Sequence, residues 1–342
     1  MYLVTGGTGF IGSHLVAKIL EEGREVLVLS RKSSNKDGLI KVLGYYFDDI
    51  EDAYAKIYWQ EGDLSDYMAV DEAVDKAEVV FHCGASVTFD TSSKLKRKRL
   101  IDTNRFYSKN IVNALLEKEK TPLIHVSSVA ALGSSVNGEC RDELTAWNSE
   151  QKRSAYARSK FESELEVWRG MEEGLNAAIV NPSVVLGIGS WEQGSMQFFD
   201  KVARGLNYYT SGATGFVDVR DVTGIMIELY EKSLYGKRYV VNAANISYEK
   251  LLSAIAGEMK LAPPKKQISE QALKTLSALG RLLSKLGFNK LYVEPEMISA
   301  AYEKSCFSNE KIRMDLDYTF IPLEETIHWI VEAYKSEKRN KW

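Results

Sequence analysis

Cysteine and histidine are scarce in this chain, which has three cysteines and four histidines in 342 residues. The cysteines, Cys83, Cys140 and Cys306, are far apart and include no CxxC pair, so the sequence predicts no disulfide framework. The histidines lack the spacing of metal ligands, and we expect no metal site. A chain without disulfides suits a reducing compartment, which predicts a cytoplasmic protein.

Long hydrophobic runs and a strong charge of either sign are also absent. No apolar stretch approaches the roughly 18 residues that a membrane helix needs. The chain opens directly on a strand pattern and a glycine loop, so we expect neither a membrane span nor a signal peptide. The formal net charge is only -3, which predicts no nucleic-acid partner.

Short apolar runs alternate with helical patterns along the first half of the chain. The predicted strands, each rich in Val, Ile or Leu, are 2–5, 25–30, 57–60, 79–82, 123–127 and 177–181. The predicted helices are 11–22, 67–76, 95–117 and 153–172. Continuous apolar strands separated by helices indicate a parallel sheet covered on both faces. The predicted fold class is therefore α/β, a doubly wound Rossmann sheet with a smaller, mostly helical C-terminal substrate lobe.

Two regions depart from this alternation. Residues 33–55 form a longer connection than a βαβ unit needs, and residues 182–215 are irregular and rich in glycine. A strand at 216–217 and a helix at 221–231 look like a return to the main sheet, followed by a strand at 238–241. We therefore predict a dinucleotide-binding domain at 1–181 plus 216–245 and a substrate lobe at 182–215 plus 246–342.

The C-terminal part is predicted to be mostly helical, with helices at 270–286, 295–304 and 323–335. Its amphipathic stretch at 276–286 could contact a membrane or a partner. A helix that covers a substrate pocket is the interpretation that we favour.

The segment TGGTGFIG at 5–12 lies between the first predicted strand and the first predicted helix. Glycines at 6, 9 and 12 allow a tight turn and a close approach to a pyrophosphate, which would face the helix N-terminus. The strand before and the helix after supply the context that makes this motif specific. The segment predicts a dinucleotide site.

The end of the second strand selects between the two nicotinamide cofactors. An acidic residue there binds the ribose 2'-hydroxyl of NAD, whereas this chain has Ser30, Arg31 and Lys32. A guanidinium can grip a 2'-phosphate through two hydrogen bonds, so we predict NADP(H), with NAD(H) as the alternative. Asp63, after the third strand, could accept the adenine amino group or cap the helix that begins near Ser65.

Tyr156 and Lys160 lie four residues apart on a predicted helix, and their side chains therefore share a face. Ser128 follows the predicted strand at 123–127. Because ligands bind beyond the carboxyl ends of parallel strands, we expect Ser128 and Tyr156 to converge on one carbonyl.

These residues resemble the extended short-chain dehydrogenase/reductase family, also called the NAD-dependent epimerase/dehydratase family. The resemblance covers most of 1–245. It rests on TGGTGFIG at 5–12, GDL at 62–64, HCGAS at 82–86, Asn104, VSS at 126–128, YARSK at 156–160, NPSVVLG at 181–187 and VDVRDV at 217–222. Counted from Gly133, the catalytic serine of the family falls on Ser128 rather than Ser127.

The resemblance implies that Ser128, Tyr156 and Lys160 are catalytic. Tyr156 would exchange a proton with the substrate oxygen, Ser128 would hydrogen-bond the same oxygen, and Lys160 would hold the nicotinamide ribose. We expect the Lys160 ammonium and the cationic nicotinamide to lower the pKa of Tyr156. The implied cofactor-binding residues are Gly6, Thr8, Gly9, Phe10, Ile11, Gly12, Ser30, Arg31, Asp63, Leu64, Ala85, Lys160 and Pro182. Asn104 is expected to give structural support or to bind water.

The resemblance leaves several reactions open. We favour reduction of a carbonyl in a small organic substrate, as in dihydroflavonol reductase-like members. Nucleotide-sugar epimerases and dehydratases usually carry an arginine just before the Phe-x-x-Val stretch, where this chain has Thr214 and Gly215. Acyl-thioester reduction is a third interpretation, from the segment at 82–90 and the long connection at 33–55. A non-catalytic NADPH sensor is a fourth. Members often dimerise through the helix that carries YARSK, so a homodimer is among the expected states.

Overall fold

The central sheet is built from seven parallel strands, which from one edge to the other are Ile57–Glu61, Val26–Ser30, Tyr2–Thr5, Val79–His82, Leu123–Val126, Ala177–Pro182 and Lys237–Val241. The computed structural model describes residues 1–86, 93–118, 120–135, 138–284 and 295–339. The strands of this sheet are β1 (Tyr2–Thr5), β2 (Val26–Ser30), β3 (Ile57–Glu61), β4 (Val79–His82), β5 (Leu123–Val126), β6 (Ala177–Pro182) and β10 (Lys237–Val241). All six strands predicted before residue 182 are confirmed, to within one residue at each end.

Thirteen helices are present in the described part of the chain. They are α1 (Phe10–Glu21), α2 (Asp37–Leu43), α3 (Ile50–Ala55), α4 (Tyr67–Asp75), α5 (Lys94–Leu116), α6 (Ala155–Glu172), α7 (Gln197–Ala203), α8 (Val219–Glu231), α9 (Tyr248–Glu258), α10 (Glu270–Ser284), α11 (Pro295–Tyr302), α12 (Glu310–Leu316) and α13 (Leu323–Arg339). The long connection at 33–55 thus contains the two short helices α2 and α3.

Both faces of the central sheet are covered, because successive strand residues point to opposite sides. Tyr2 and Val4 pack with residues of α1 and α8 in one fully buried cluster. Leu3 packs with residues of α4, α5 and α6 in another. The doubly wound Rossmann fold is therefore confirmed. Because both faces of such a sheet are buried, its strands must be apolar along their whole length, as they are in this sequence.

Strand β9 (Ala213–Asp218) lies outside the central sheet. It forms a three-stranded sheet with β7 (Val184–Leu186) and β11 (Ala244–Ser247), in the order β11-β9-β7. The prediction that this strand returns to the main sheet is therefore wrong. The helix that follows it, α8, does pack on the main sheet, and β10 joins the edge of that sheet beside β6.

The C-terminal helices build a separate apolar core around the small sheet. Phe216 of β9 packs there with buried residues of α7, α9 and α13. A further two-stranded sheet pairs β8 (Tyr208–Tyr209) with β12 (Lys266–Gln267). Residues 285 and 286 of the amphipathic stretch lie outside the described residues. No described helix is both long and apolar enough to cross a membrane.

Cys140 and Cys306 form a disulfide bond across 166 positions of sequence. The prediction that the chain has no disulfide is therefore wrong, and the argument for a reducing compartment loses its basis. The two cysteines come from distant loops that pair locally, since the Arg141 backbone N–H donates to the Cys306 carbonyl over 2.8 Å. Such a pairing leaves no spacing pattern in the sequence.

Candidate active site

The predicted site residues meet at the carboxyl edge of the central sheet. Six neighbouring strands end at this edge, because all of them run in the same direction. Each strand delivers one part of the site: the glycine loop, Ser30 with Arg31, Asp63 with Leu64, Ala85, Ser128 and Pro182. The arrangement follows from the parallel sheet rather than from any local motif.

The glycine loop turns tightly between β1 and α1. Gly6 has a φ of 71°, and its carbonyl accepts a hydrogen bond of 2.9 Å from the Gly9 backbone N–H. A Cβ atom at Gly12 would lie 2.1 Å from the Gly6 oxygen, so any larger residue there would displace the loop. The backbone can therefore approach a ligand closely.

The N-terminus of α1 suits an anion. Gly9 occupies the N-cap position without a side-chain cap, and the first turn of the helix carries no acidic residue. Unpaired amides at a helix N-terminus attract phosphate groups. The Gly9 N–H is used within the loop, and the free amides of Phe10, Ile11 and Gly12 fit the pyrophosphate of a dinucleotide. Thr8 lies in the same loop, half-buried.

Arg31 and Asp63 face each other at the same edge of the sheet, where β2 and β3 end. The Arg31 Nε lies 3.8 Å from Asp63 Oδ2, with 63% of the Arg31 side chain exposed. Asp63 Oδ1 accepts hydrogen bonds from the Ser65 backbone N–H and hydroxyl, at 2.8 and 2.6 Å. Burial tends to raise the pKa of Asp63, but these bonds and Arg31 hold it below its usual value.

Asp63 does not cap the following helix. The N-cap of α4 is Asp66, whose carboxylate accepts from the Met68 backbone N–H over 3.0 Å. The capping alternative for Asp63 is therefore wrong, and this carboxylate stays at the cleft. Leu64 lies beside it and packs over Gly84, where a Cβ atom would come within 2.6 Å of Leu64 Cδ1.

Tyr156 lies in the first turn of α6, which begins where Ser154 caps the helix. The Ser154 hydroxyl accepts a 3.0 Å hydrogen bond from the Ala157 backbone N–H. Ser128 follows β5, and its hydroxyl accepts a 3.1 Å hydrogen bond from the Ala130 backbone N–H. The structure places the Ser128 hydroxyl close enough to the phenol to lower its pKa.

The pKa of Tyr156 is nevertheless raised above its usual value, because burial outweighs the Ser128 contact. The prediction of a lowered pKa is therefore not met by the protein alone. Lys160 does not contribute to this shift: its Nζ donates instead to the Val126 carbonyl over 3.0 Å. In neutral solution Tyr156 holds its proton.

Lys160 is buried, with 6% of its surface exposed. Burial lowers its pKa to about 8, against the opposing effects of Cys83 and Glu164. Its ammonium lies at the end of β5, beside the carboxyl ends of β4 and β6. With a pKa of about 8, the Lys160 side chain is still mostly protonated at neutral pH.

Ser127 differs from Ser128 in burial. Ser127 is 3% exposed, whereas Ser128 is half-buried and borders the cleft with Tyr156. Counting from Gly133 selects the same serine.

Asn104 supports the loop after β4. Its Oδ1 accepts from the Ser86 backbone N–H over 2.7 Å, and its Nδ2 donates to the Ser86 carbonyl over 3.0 Å. These bonds fix the segment that contains Ala85. The expected role of structural support fits this geometry, and the residues after Ser86, 87–92, lie outside the described chain.

Sequence reasoning missed a buried polar group behind the site. Glu164 is 1% exposed and lies one helical turn beyond Lys160, and Asn181 is fully buried at the end of β6. Asn181 donates to both the Glu164 carboxylate and the Ser128 carbonyl, over 2.5 and 2.9 Å. The spacing of Tyr156, Lys160 and Glu164 was the available signal, since each is four residues from the next.

Three comparisons place the chain among known proteins. The model of the NAD dependent epimerase/dehydratase family matches residues 2–243. A putative dihydroflavonol 4-reductase of Synechocystis sp. is 28% identical over 275 residues, which cover 78% of this chain and 75% of the relative. Cinnamoyl-CoA reductase 1 of Petunia hybrida is 27% identical over 248 residues, covering 69% and 71%.

A similar solved structure, that of gox2253, has a TM-score of 0.80 and 26% sequence identity, and the match covers 99% of both chains. The family match spans the central sheet, the glycine loop and the serine, tyrosine and lysine at its edge. The chain belongs to the NAD dependent epimerase/dehydratase family, and it is an NAD(P)-dependent enzyme of the extended short-chain dehydrogenase/reductase type.

Proposed function

We propose that this enzyme reduces a carbonyl group of a small organic substrate with NADPH, and that Tyr156 donates the proton. The observation that carries the proposal is the meeting of Ser128, Tyr156 and Lys160 at the carboxyl edge of the sheet, next to the glycine loop. A hydroxyl, a phenol and an ammonium at one edge form a donor set for a substrate oxygen that gains negative charge.

The dinucleotide, when bound, supplies the hydride. The amides of Phe10, Ile11 and Gly12 would bind its pyrophosphate, with Gly6, Thr8 and Gly9 shaping the loop. Ser30 and Arg31 would hold the 2'-phosphate, and Asp63 and Leu64 would border the adenine. Ala85, Lys160 and Pro182 would border the nicotinamide riboside.

The protonation state of Tyr156 suits reduction better than oxidation. Burial raises the pKa of the phenol, so the proton is present at neutral pH and can be given to the developing alkoxide. Ser128 can donate a second hydrogen bond to the same oxygen. Lys160, as an ammonium, strengthens the local positive potential that stabilises negative charge there.

Tyr156→Phe tests the proposal. The change removes the proton donor and keeps the ring, so we expect the rate constant kcat to fall by about 10²–10⁴-fold. NADPH oxidation is followed with ketones, aldehydes and acyl thioesters, and NADPH binding is measured by fluorescence. Tyr67→Phe is the control, because that hydroxyl bonds Glu117 on the surface. Full activity of Tyr156→Phe would remove this residue from the mechanism.

A nucleotide-sugar epimerase or dehydratase is the second candidate, and Gly215 argues against it. A Cβ atom at Gly215 would lie 2.1 Å from Asn242 Oδ1 and 2.9 Å from Phe307 Cδ2. The arginine that such enzymes usually carry there could be accommodated only if the buried side chains of Asn242 and Phe307 moved. Conversion of UDP- or dTDP-sugars without net NADPH use would favour the second candidate over the first.

Acyl-thioester reduction stays within the same chemistry, because a thioester is also a carbonyl that accepts hydride. The resemblance of this chain to a cinnamoyl-CoA reductase favours including thioesters in the substrate panel. The sequence motif that indicates this reaction ends at Asp90, and 87–90 lie outside the described residues.

We also propose that the chain divides into a dinucleotide-binding domain and a substrate lobe. We further propose a homodimer, which a mass measurement in solution would test.

A further inference from the structure

A buried carboxylate lies directly behind the site. Glu164 belongs to α6, one turn beyond Lys160, and only 1% of its surface is exposed. Removing a carboxylate from water is costly unless donors replace the water. Its oxygens accept from Asn181 Nδ2 over 2.5 Å and from Arg238 Nη1 over 3.3 Å. Burial raises the pKa of Glu164, and hydrogen bonds from Ser127, Asn181 and Arg238 together with the Arg238 charge oppose that rise. Every group that contacts the carboxylate is a donor, and one of them is a guanidinium, so the geometry supports a buried ion pair of Glu164 with Arg238.

The carboxylate is connected to the serine turn. The amide nitrogen of Asn181 has two hydrogens, and it donates to Glu164 and to the Ser128 carbonyl, the latter over 2.9 Å. A flipped amide would bring its oxygen against the carboxylate. Glu164 therefore fixes the orientation of Asn181, and Asn181 holds the backbone of Ser128.

The same carboxylate lies one helical turn from Lys160, and its charge opposes the fall in the Lys160 pKa that burial causes. The titratable groups around this ammonium are His82 at the end of β4, Cys83 just after it, His125 of β5 and Glu164 of α6. Of these, Cys83 and Glu164 oppose the lowering of the Lys160 pKa. Burial lowers the pKa of both histidines and raises the pKa of the Cys83 thiol to about 12. Cys83 and the histidines are therefore neutral near pH 7, and so is the neighbouring phenol of Tyr156.

We propose that Glu164 is a positioning residue of the active site, which retains the Lys160 ammonium by its charge and fixes the Ser128 turn through Asn181. Arg238 completes the arrangement: it pairs with Glu164 and also donates to the Glu143 carbonyl over 2.7 Å, in the connection between Ser128 and Tyr156. The inference rests on the proposed function, in which Lys160 must be protonated to hold the cofactor ribose.

The pH dependence of cofactor binding tests this role. Lys160 loses its proton as the pH rises through its pKa, and binding weakens there. Glu164→Gln removes the counter-charge and lowers that pKa, so the midpoint of the alkaline loss of NADPH affinity should move down by about one pH unit. NADPH fluorescence titrations between pH 6 and about 10 measure this midpoint without any substrate.

Glu166→Gln is the matched control. Glu166 lies on the same helix, is 5% exposed and pairs with Arg105 and Arg169, away from Lys160. Its variant should keep the wild-type midpoint. Glu164→Asp retains the charge, so its midpoint should lie close to that of the wild type. A purely structural effect of the substitution would not predict this return.

The outcomes separate the two proposals. An acid shift in Glu164→Gln alone supports the inference, whether or not any carbonyl is reduced. An unchanged midpoint in this variant, or an equal shift in Glu166→Gln, overturns it. If Glu164→Gln does not fold by circular dichroism, the double variant Glu164→Met with Arg238→Met replaces it, because it exchanges the buried ion pair for apolar side chains and removes the same carboxylate charge. An unchanged midpoint in that variant has the same meaning. An inactive wild-type enzyme that still binds NADPH would count against the proposed function only.

Discussion

At the scale of single residues, we propose that Arg31 selects NADPH over NADH. Its guanidinium is exposed, and its nearest described anion is Asp63, 3.8 Å away, so the side chain remains available to a 2'-phosphate. Arg31→Asp would replace a charge-assisted hydrogen bond with repulsion. Because such bonds contribute about 1.5–3 kcal/mol, we expect NADPH affinity to fall at least about tenfold more than NADH affinity.

Lys32→Asp is the control for this prediction, since it makes the same change of charge at the next, exposed position. Its effect should be similar for both cofactors and much smaller. The measurement is the Kd of NADPH and of NADH for each variant at one ionic strength. An equal loss for both cofactors in Arg31→Asp would assign the residue to the surface and leave the NADP(H) preference without support.

Asp221 carries the second residue-scale prediction, which concerns stability. Burial raises the pKa of this carboxyl to about 7, although it accepts from the Tyr318 hydroxyl over 3.0 Å. The folded-state pKa of Asp221 exceeds the unfolded value of about 3.9. The stability that the protonated carboxyl contributes to the folded protein is therefore fully present below about pH 4 and is lost as the pH rises through about 7. Asp221→Asn cannot ionise, and we expect it to stabilise the protein at pH 8, by on the order of 2–4 kcal/mol.

Urea unfolding of the wild type and of Asp221→Asn at pH 5 and pH 8 measures this effect, and the stabilisation should shrink at the lower pH. Asp315→Asn is a control of opposite sign. The hydrogen bond from Lys237 holds the pKa of Asp315 below its usual value, so removing that charge should destabilise the protein at pH 8. A stabilisation by Asp221→Asn that is equal at both pH values would contradict the assignment.

At the scale of elements, the sequence predicted what depends on local pattern and missed what depends on long-range pairing. The strands of the central sheet were recognisable because strands covered on both faces need unbroken apolar runs. Strand β9 has the same buried apolar character around Phe216, yet it pairs with β7 and β11. An apolar run reports burial but carries no information about which neighbour accepts its hydrogen bonds.

The same distinction applies to the site. Ser128, Tyr156 and Lys160 could be predicted to meet, because a strand end and a helical spacing of four constrain their positions. The partners of Glu164 could not be predicted, since Arg238 comes from β10, 74 residues further along the chain. The raised pKa of Tyr156 was also beyond the sequence, because it depends on how deeply the phenol is buried.

At the scale of the whole molecule, the disulfide joins two regions that the central sheet does not connect. Cys140 lies in the segment between Ser128 and Tyr156, and Cys306 lies between α11 and α12. Arg141 reinforces the junction through hydrogen bonds from its guanidinium to Glu303 and to Ser305, the latter over 2.6 Å. The segment between Ser128 and Tyr156 is thereby tied to the C-terminal part of the chain.

Reduction of this bond should destabilise the entire fold. A disulfide that closes so long a loop restricts the unfolded chain, and loss of such bonds typically costs about 2–4 kcal/mol. We expect Cys306→Ser, and equally the reduced wild type, to lower the free energy of unfolding by this amount in urea titrations. Cys83→Ser is the control, because Cys83 is the free cysteine. Thiol titration of the unreduced, denatured wild type should find one free thiol per chain, whereas three free thiols, together with stability that reductant leaves unchanged, would exclude the bond.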